Sequence, residues 1–320
     1  MHDKQDKFPL IDLRRVKRYA ISERLNKTRI SDLGKPLTGK KAPREFFASL
    51  PRFLKARELN EFMALVIKAR RNRLPFHLLM GAHIIKVGLA PVTIDLMKQK
   101  IVTGVSFNGA GLIHDMELAF FGGTSEDVQS GLADGSFGMV RETGELFGEV
   151  VKLAAQKDIG LGRAGGLYIN RMKAPYHRVS IFAAAEKMNI PVTVHIGIGT
   201  DIVNQHPDFD AAMAAEASYK DFRLLAAICS RIDRGGVVAN IGSAVILPEV
   251  FLKALTVARN VNPGKSRLTT ANFDMLEHYR PRVNIVSRPT HKIGRGFDFR
   301  GHHEIMIPLL AWGLKAGFKS

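Results

Sequence analysis

The chain has 320 residues, 46% of them hydrophobic, and 47 Lys and Arg against 30 Asp and Glu give a formal net charge of +17. That apolar content fills the core of a large α/β domain and excludes intrinsic disorder. The longest apolar runs, such as Leu74–Met80 and Val237–Leu247, are interrupted and shorter than the roughly 20 residues that cross a bilayer, which excludes a membrane helix.

The amino terminus, Met1-His2-Asp3-Lys4, is charged and leads into no apolar signal core, so the expected compartment is the cytoplasm. The single cysteine, Cys229, falls on the apolar stripe of an expected helix and reads as a buried structural thiol. The positive charge favours acidic partners. No RNA-recognition aromatics, paired-cysteine fingers or helix-turn-helix pattern accompany it, so it reads as a solvated surface, with nucleic acid left open.

Residues 1–55 read as a basic arm punctuated by Gly34, Pro36 and Gly39, and residues 56–320 as one domain. Leu59, Phe62, Met63, Val66 and Ile67 recur at helical spacing and predict an amphipathic helix. From Leu74 the pattern becomes strand, turn, helix. Strand Leu74–Met80, turn Gly81-Ala82-His83 and helix Pro91–Lys100 are followed by strand Ile101–Phe107, a glycine turn at 108–111 and helix Leu112–Phe121. Thr124–Asp127 reads as a helix opening, and the glycine-rich stretch Gly135–Gly138 with Glu142–Glu145 as a second capped helix or a lid. Strands Pro191–Ile196, Val237–Ile241 and Leu268–Ala271 come next, with Val283–Val286 as one more. Helices are expected at Arg178–Met188, Tyr219–Arg231, Glu249–Arg259 and His303–Leu314. This alternation predicts a doubly wound, mostly parallel, Rossmann-like sheet covered on both faces.

Ligands of such sheets lie beyond the carboxyl ends of the strands, where this chain is small and polar. The candidates are His83; Asn108, Gly109, Ala110 and Gly111 with His114 and Asp115; Thr200 and Asp201; Gly242 and Ser243; and Thr270, Ala271, Asn272 and Asp274. Any one such turn is what a tight connection requires, but their convergence points to one long ligand groove. Glycine lets a backbone approach a pyrophosphate, and the next helix offers it free N–H groups, although the GxGxxG fingerprint is absent. His83, His114, His195 and His206 lie at or near strand ends, and no HxH or HExxH spacing supports a metal site.

These blocks resemble the deoxyhypusine synthase family. Asn108-Gly109-Ala110-Gly111-Leu112-Ile113-His114-Asp115 is similar to the family's Thr-Ala-Gly-Gly-Val-Glu-Glu-Asp, and Ala82–Gly88 to Ser-Asn-Leu-Ile-Ser-Ser-Gly. Thr200-Asp201, Ile241–Val245, Thr270–Asp274 and Ile305–Ala311 follow in the family's order. The resemblance implies an NAD-binding fold, sites shared within a homotetramer, and a transferase acting on an amine or amino-acid-like small molecule through a lysine imine. It adds Ala82 and Gly88 to the expected cofactor contacts. Two glutamates of the family pattern are Ile113 and His114 here, its histidine is Pro248, and the nearest counterpart of its lysine is Lys292. The expected catalytic set is therefore His114, Asp115, Asp201 and Lys292, with His114 leading. The lost carboxylates and the basic charge speak against a polyamine cation. The alternatives are a hydrolase or lyase using the strand-end histidines, and a non-catalytic nucleotide- or nucleic-acid-binding protein.

Overall fold

The structure is a computed structural model and describes residues 43–207, 209–263 and 267–318; the basic arm up to residue 42 lies outside them. Strands β1 (Phe76–Met80), β2 (Gly104–Asn108), β3 (Val192–His195), β4 (Val237–Ile241), β5 (Thr269–Asp274) and β6 (Arg295–Arg300) form one sheet. Their order is β3-β2-β1-β4-β5-β6, and every pairing is parallel. Strand order reverses between β1 and β4, the place where open α/β sheets receive ligands.

Helices α1 (Pro43–Ser49) and α2 (Leu54–Arg71) precede the sheet, and α3 (His83–Lys86) and α4 (Ala90–Lys98) join β1 to β2. The long β2–β3 connection holds α5 (Gly109–Phe121), α6 (Val128–Asp134), α7 (Arg141–Lys157), α8 (Leu161–Arg171) and α9 (Ile181–Lys187). Helices α10 (Ala211–Ile232) and α11 (Ile246–Val261) complete the next two crossovers, and α12 (His303–Phe318) follows β6. No helix among the described residues is long and apolar enough to cross a membrane.

The two faces of the sheet follow from the period of two along each strand. Phe76, Leu78 and Met80 point toward the face where Phe62 of α2 meets Phe76, Phe273 and Phe297 edge-on. Leu79 and Val238 point toward α10 and α11, where Cys229 is fully buried. Burial pushes the Cys229 thiol up, which keeps it protonated and inert. This second face also carries a polar row. His77 Nε2 meets Ser106 Oγ at 2.8 Å, Ser106 meets Thr193 at 2.6 Å, and Thr193 meets His195 Nε2 at 3.0 Å. Burial lowers both imidazoles to about 3, so they stay neutral within the sheet.

Two strand assignments differ from the sequence reading, α8 was not among the expected helices, and α7 was expected only as one reading of Glu142–Glu145. Val283–Val286 lies in a wide helical turn spanning Pro281–Ser287 rather than in a strand. Proline opens it, the Ser287 and Thr290 hydroxyls return to the carbonyls of Val283 and Val286, and Ile285 and Val286 pack with α11. The sixth strand is instead β6, an edge strand whose Phe297 and Phe299 turn inward while Arg295 and Arg300 stay exposed. Within the expected arm, α1 packs on α12 through Phe46, Phe47 and Trp312.

Candidate functional site

A cavity of about 510 Å³ opens beyond the carboxyl ends of β2 and β3. Its walls are α5, the Gly122–Val140 segment carrying α6, the first turn of α7 and the loop that ends at Ile202. Helix α5 starts abruptly because Asn108 caps it, its carboxamide oxygen accepting from Gly111 N at 3.2 Å. Glycine is required at 109 and 111 by crowding: a Cβ at Gly109 would lie 2.1 Å from Asp201 Oδ2, and one at Gly111 2.5 Å from the Phe107 ring.

His114 and Glu117 are three residues apart on α5 and therefore share a face. His114 Nδ1 lies 2.6 Å from Thr124 Oγ1, and the Thr124 hydroxyl donates to Glu117 Oε2. Thr143 donates to the other carboxylate oxygen at 2.8 Å. The Thr124 hydroxyl has a single proton, already directed at Glu117, so it accepts from His114 Nδ1–H. Nε2 then has no protein partner among the described residues and serves the cavity that His114 lines. Burial alone would raise the Glu117 carboxyl, but His114 beside it at 3.6 Å and the hydrogen bonds from Thr124 and Thr143 outweigh it and hold Glu117 below its ordinary value. It stays an anion.

Asp201 is buried at the amino end of α5. Burial raises its carboxyl, and the Gly197 and Ala110 N–H groups oppose that rise. Glu126 accepts from Gly138 N at 3.1 Å and also lines the cavity, as does Lys86.

The structure gathers His114, Ala110, Thr200 and Asp201 at this cavity and distributes the other expected residues elsewhere. Asp115 turns away from it: its buried carboxylate accepts from Ser180 Oγ and Ile181 N, capping α9, and burial pushes it up to about 7. Lys292 precedes β6 and so lies at the amino end of the sheet, separated from the carboxyl ends by the six residues of that strand. Chain order alone had placed it near the site. Thr270 and Ala271 sit inside β5, and Asn272 bonds Asn240 and Asp298 across the sheet at 2.8 and 2.9 Å. Asp274 caps its own turn at Met275 N.

At the β1–β4 switch, Gly81 N donates to Ile241 O at 2.9 Å. Gly242, with φ +65°, lies under the His303 ring, and His83 stands 5.3 Å from His303, centroid to centroid. His303 Nδ1 is buried without a partner, while Gly88, with φ +77°, has open space around its Cα. Ser243 Oγ accepts from Leu247 N at 3.3 Å in the first turn of α11. His195 is held in the polar row of the sheet, and His206 Nε2 lies 2.9 Å from Gly138 O. Among the described residues no group of three or more His, Cys, Asp or Glu side chains is arranged to hold a metal.

Sequence reasoning gave no site role to Glu117, Thr124, Thr143, Glu126 or Lys86, although Thr124 and Glu126 fall in the stretch read as a helix opening. The three carboxylates Glu117, Glu126 and Asp201 against one lysine also correct the charge argument, because the site is acidic in a basic protein.

No family model and no curated protein matches this chain. Solved structures do. The complex of AgrE with ornithine and NAD+ matches 84% of the chain at 11% identity with a TM-score of 0.51. The apo arginine dihydrolase ArgZ from cyanobacteria matches 81% at 13% and 0.48, and the putative deoxyhypusine synthase from Entamoeba histolytica 82% at 10% and 0.47. The chain spans about a third of the AgrE and ArgZ chains, 34% and 31%, and 88% of the Entamoeba protein. Identities this low show a shared α/β Rossmann-like fold and nothing finer.

Proposed function

We propose that this protein is an NAD-dependent enzyme acting on a small amine or amino-acid-like substrate, with His114 as its proton carrier. The observation that carries the reading is the Glu117–Thr124–His114 chain, which orients an imidazole beside a cavity at the carboxyl ends of parallel strands. In such a site Nε2 takes a proton from the substrate amine, and Glu117, through Thr124, offsets the charge of the imidazolium. Glu126 and Asp201 add negative charge that favours a cationic amine.

The cofactor part is supported by fold. AgrE, which shares the fold, was solved with ornithine and NAD+. Here the Gly109 turn is not an open phosphate cradle, since Asp201 and Asn108 take the Ala110 and Gly111 N–H groups. The residues that fit a dinucleotide are the open Gly88 and the unpartnered His303 Nδ1 over Gly242, with Thr200 and Asp201 suited to ribose hydroxyls. When bound, NAD would supply hydride acceptance at the substrate carbon. Group transfer through an imine draws no support from Lys292, and Lys86 is the lysine that lines the cavity.

Calorimetric titration tests the cofactor. NAD at a hundredfold excess over its Kd should stabilise the folded protein by about 2.7 kcal/mol. Folded protein that gives no binding heat and no thermal shift at millimolar NAD removes the cofactor from the reading. His114→Asn should then lower turnover about a hundredfold while leaving NAD affinity in place.

A further inference from the structure

The opposite end of the sheet has a different chemistry. Each connection that enters a strand there brings an exposed cation. Across the sheet these are Lys187 before β3, Lys100 before β2, Arg73 before β1, Arg234 before β4, Arg267 before β5 and Lys292 before β6. The central strands bring a second, in Lys98, Arg71 and Arg231. None of these nine is in an ion pair among the described residues.

Some other cations are matched, while others among the described residues, such as Arg171, Lys173 and Arg223, are not. Lys220 takes Asp158 and Glu216, Lys253 takes Glu249, and Arg295 takes Glu61 at 2.9 Å. The two acids in these connections are also already engaged, Asp233 by Arg259 at 2.7 Å and Glu186 by Arg163 at 3.7 Å. Helix dipoles do not supply the missing anions. Six helices end here, α12 among them, and about half a negative charge at each carboxyl end balances about three of the nine cations.

A groove of about 500 Å³ lies within this face, lined by Arg70, Lys98 and Lys100 with Thr103 and Asn189, and no carboxylate lines it. Burial and the charge of Arg231 both lower the Arg70 guanidinium, as expected where cations crowd without a counterion. The six-strand width is about 24 Å. A duplex carries one phosphate charge per roughly 1.7 Å of its axis, so the face matches a polymer of closely spaced anions better than a single small one. The connections contain no Phe, Tyr or Trp on which a base could stack, which favours paired over single-stranded nucleic acid.

We infer that the amino-end face of the sheet docks the phosphate backbone of a nucleic-acid duplex without reading its sequence. The test is fluorescence anisotropy of the full chain with a labelled duplex of arbitrary sequence, across roughly 50 to 200 mM salt. Affinity should fall steeply and log-linearly with salt. The fourfold variant Arg73→Gln, Lys100→Gln, Arg234→Gln and Arg267→Gln changes exposed side chains only and leaves Arg70, which bonds the Leu74 and Lys100 carbonyls, in place. It should reduce the log–log salt slope by about 3.6 if each of the four cations meets one phosphate. Its melting temperature and its NAD response should match the parent's, which separates this inference from the carboxyl-end site.

Neutralising Arg14, Arg15, Lys17 and Arg18 in the amino-terminal arm to Gln should leave most of the slope. No duplex binding at the lowest salt would overturn the inference, as would a face variant that keeps the parental slope while the arm variant loses it. Equal displacement of the duplex by polyglutamate at matched charge would also overturn it, in favour of an acidic protein partner.

Discussion

Asp221→Asn isolates the electrostatics that hold edge strand β3 in place. Asp221, buried on α10, accepts from Gly162 N and Val194 N, each at 2.8 Å, and so joins the start of α8 to the strand that leads to Asp201. Gly160 makes room for it, since a Cβ there would lie 1.8 Å from Asp221 Oδ1. Burial pushes the carboxyl up to about 7, against the pull of the Gly162, Val194 and Leu161 N–H groups. In the unfolded chain it titrates near 3.8. Below that pH both states are protonated. Between 3.8 and 7 the unfolded state ionises while the folded state keeps its proton, so stability falls as pH rises. At about 1.36 kcal/mol per unit the window is worth up to roughly 4 kcal/mol.

Asparagine cannot ionise, so the stability of the variant relative to the parent should climb by up to that amount from pH 4 to pH 8. The difference is the quantity to measure, by guanidinium denaturation at several pH values. The parental curve alone mixes opposing contributions: Asp115 has the same sign, whereas His77 and His195, lowered to about 3, stabilise above 6.5 and lose that stability as pH falls. A difference that stays flat, or that shrinks with rising pH, would mean the N–H groups hold Asp221 as an anion at pH 4, and the reasoning fails.

Two further outcomes follow from the geometry. Thr124→Val should release the Nδ1–H form of His114, read in the nitrogen shifts of selectively labelled histidine at alkaline pH, while Thr124→Ser retains it; an unchanged tautomer in the valine variant would dissolve the relay. Gly81→Ala should destabilise by about 3 kcal/mol or more in denaturant titration, because its Cβ would lie 2.1 Å from Gly242 O and force β1 from β4; a loss under 1 kcal/mol would show that the switch point yields.

Five of the six strands were legible because each pairs a short apolar run with Gly, Asn or Asp at its end. β6 was not. Its Arg-Gly-Phe-Asp-Phe-Arg alternates charge with two inward rings, a pattern that makes sense only once Phe62 and Phe273 are present to receive them. Val283–Val286 has strand composition, yet it curls because Pro281 and the following hydroxyls satisfy a helical backbone. At the site, His114 was readable from its place one turn past the glycine turn. Its partners were not, because Thr124 arrives after the turn at Gly122 and Thr143 from α7, and no spacing in the chain encodes that approach.

The same geometry explains why net charge misdescribed the site. Crossover helices in a parallel sheet bring their amino ends to the carboxyl side, and this protein fills two of those ends with its own carboxylates: Asp201 at α5 and Asp115 at α9. Where phosphate-binding relatives of this architecture leave a helix start open to the anionic ligand, α5 has spent it on Asp201. The cavity beside it keeps negative charge that the helix dipole helps to hold. That local negative charge, in a protein that is strongly basic as a whole, is the basis for proposing an amine rather than a phosphate as the substrate.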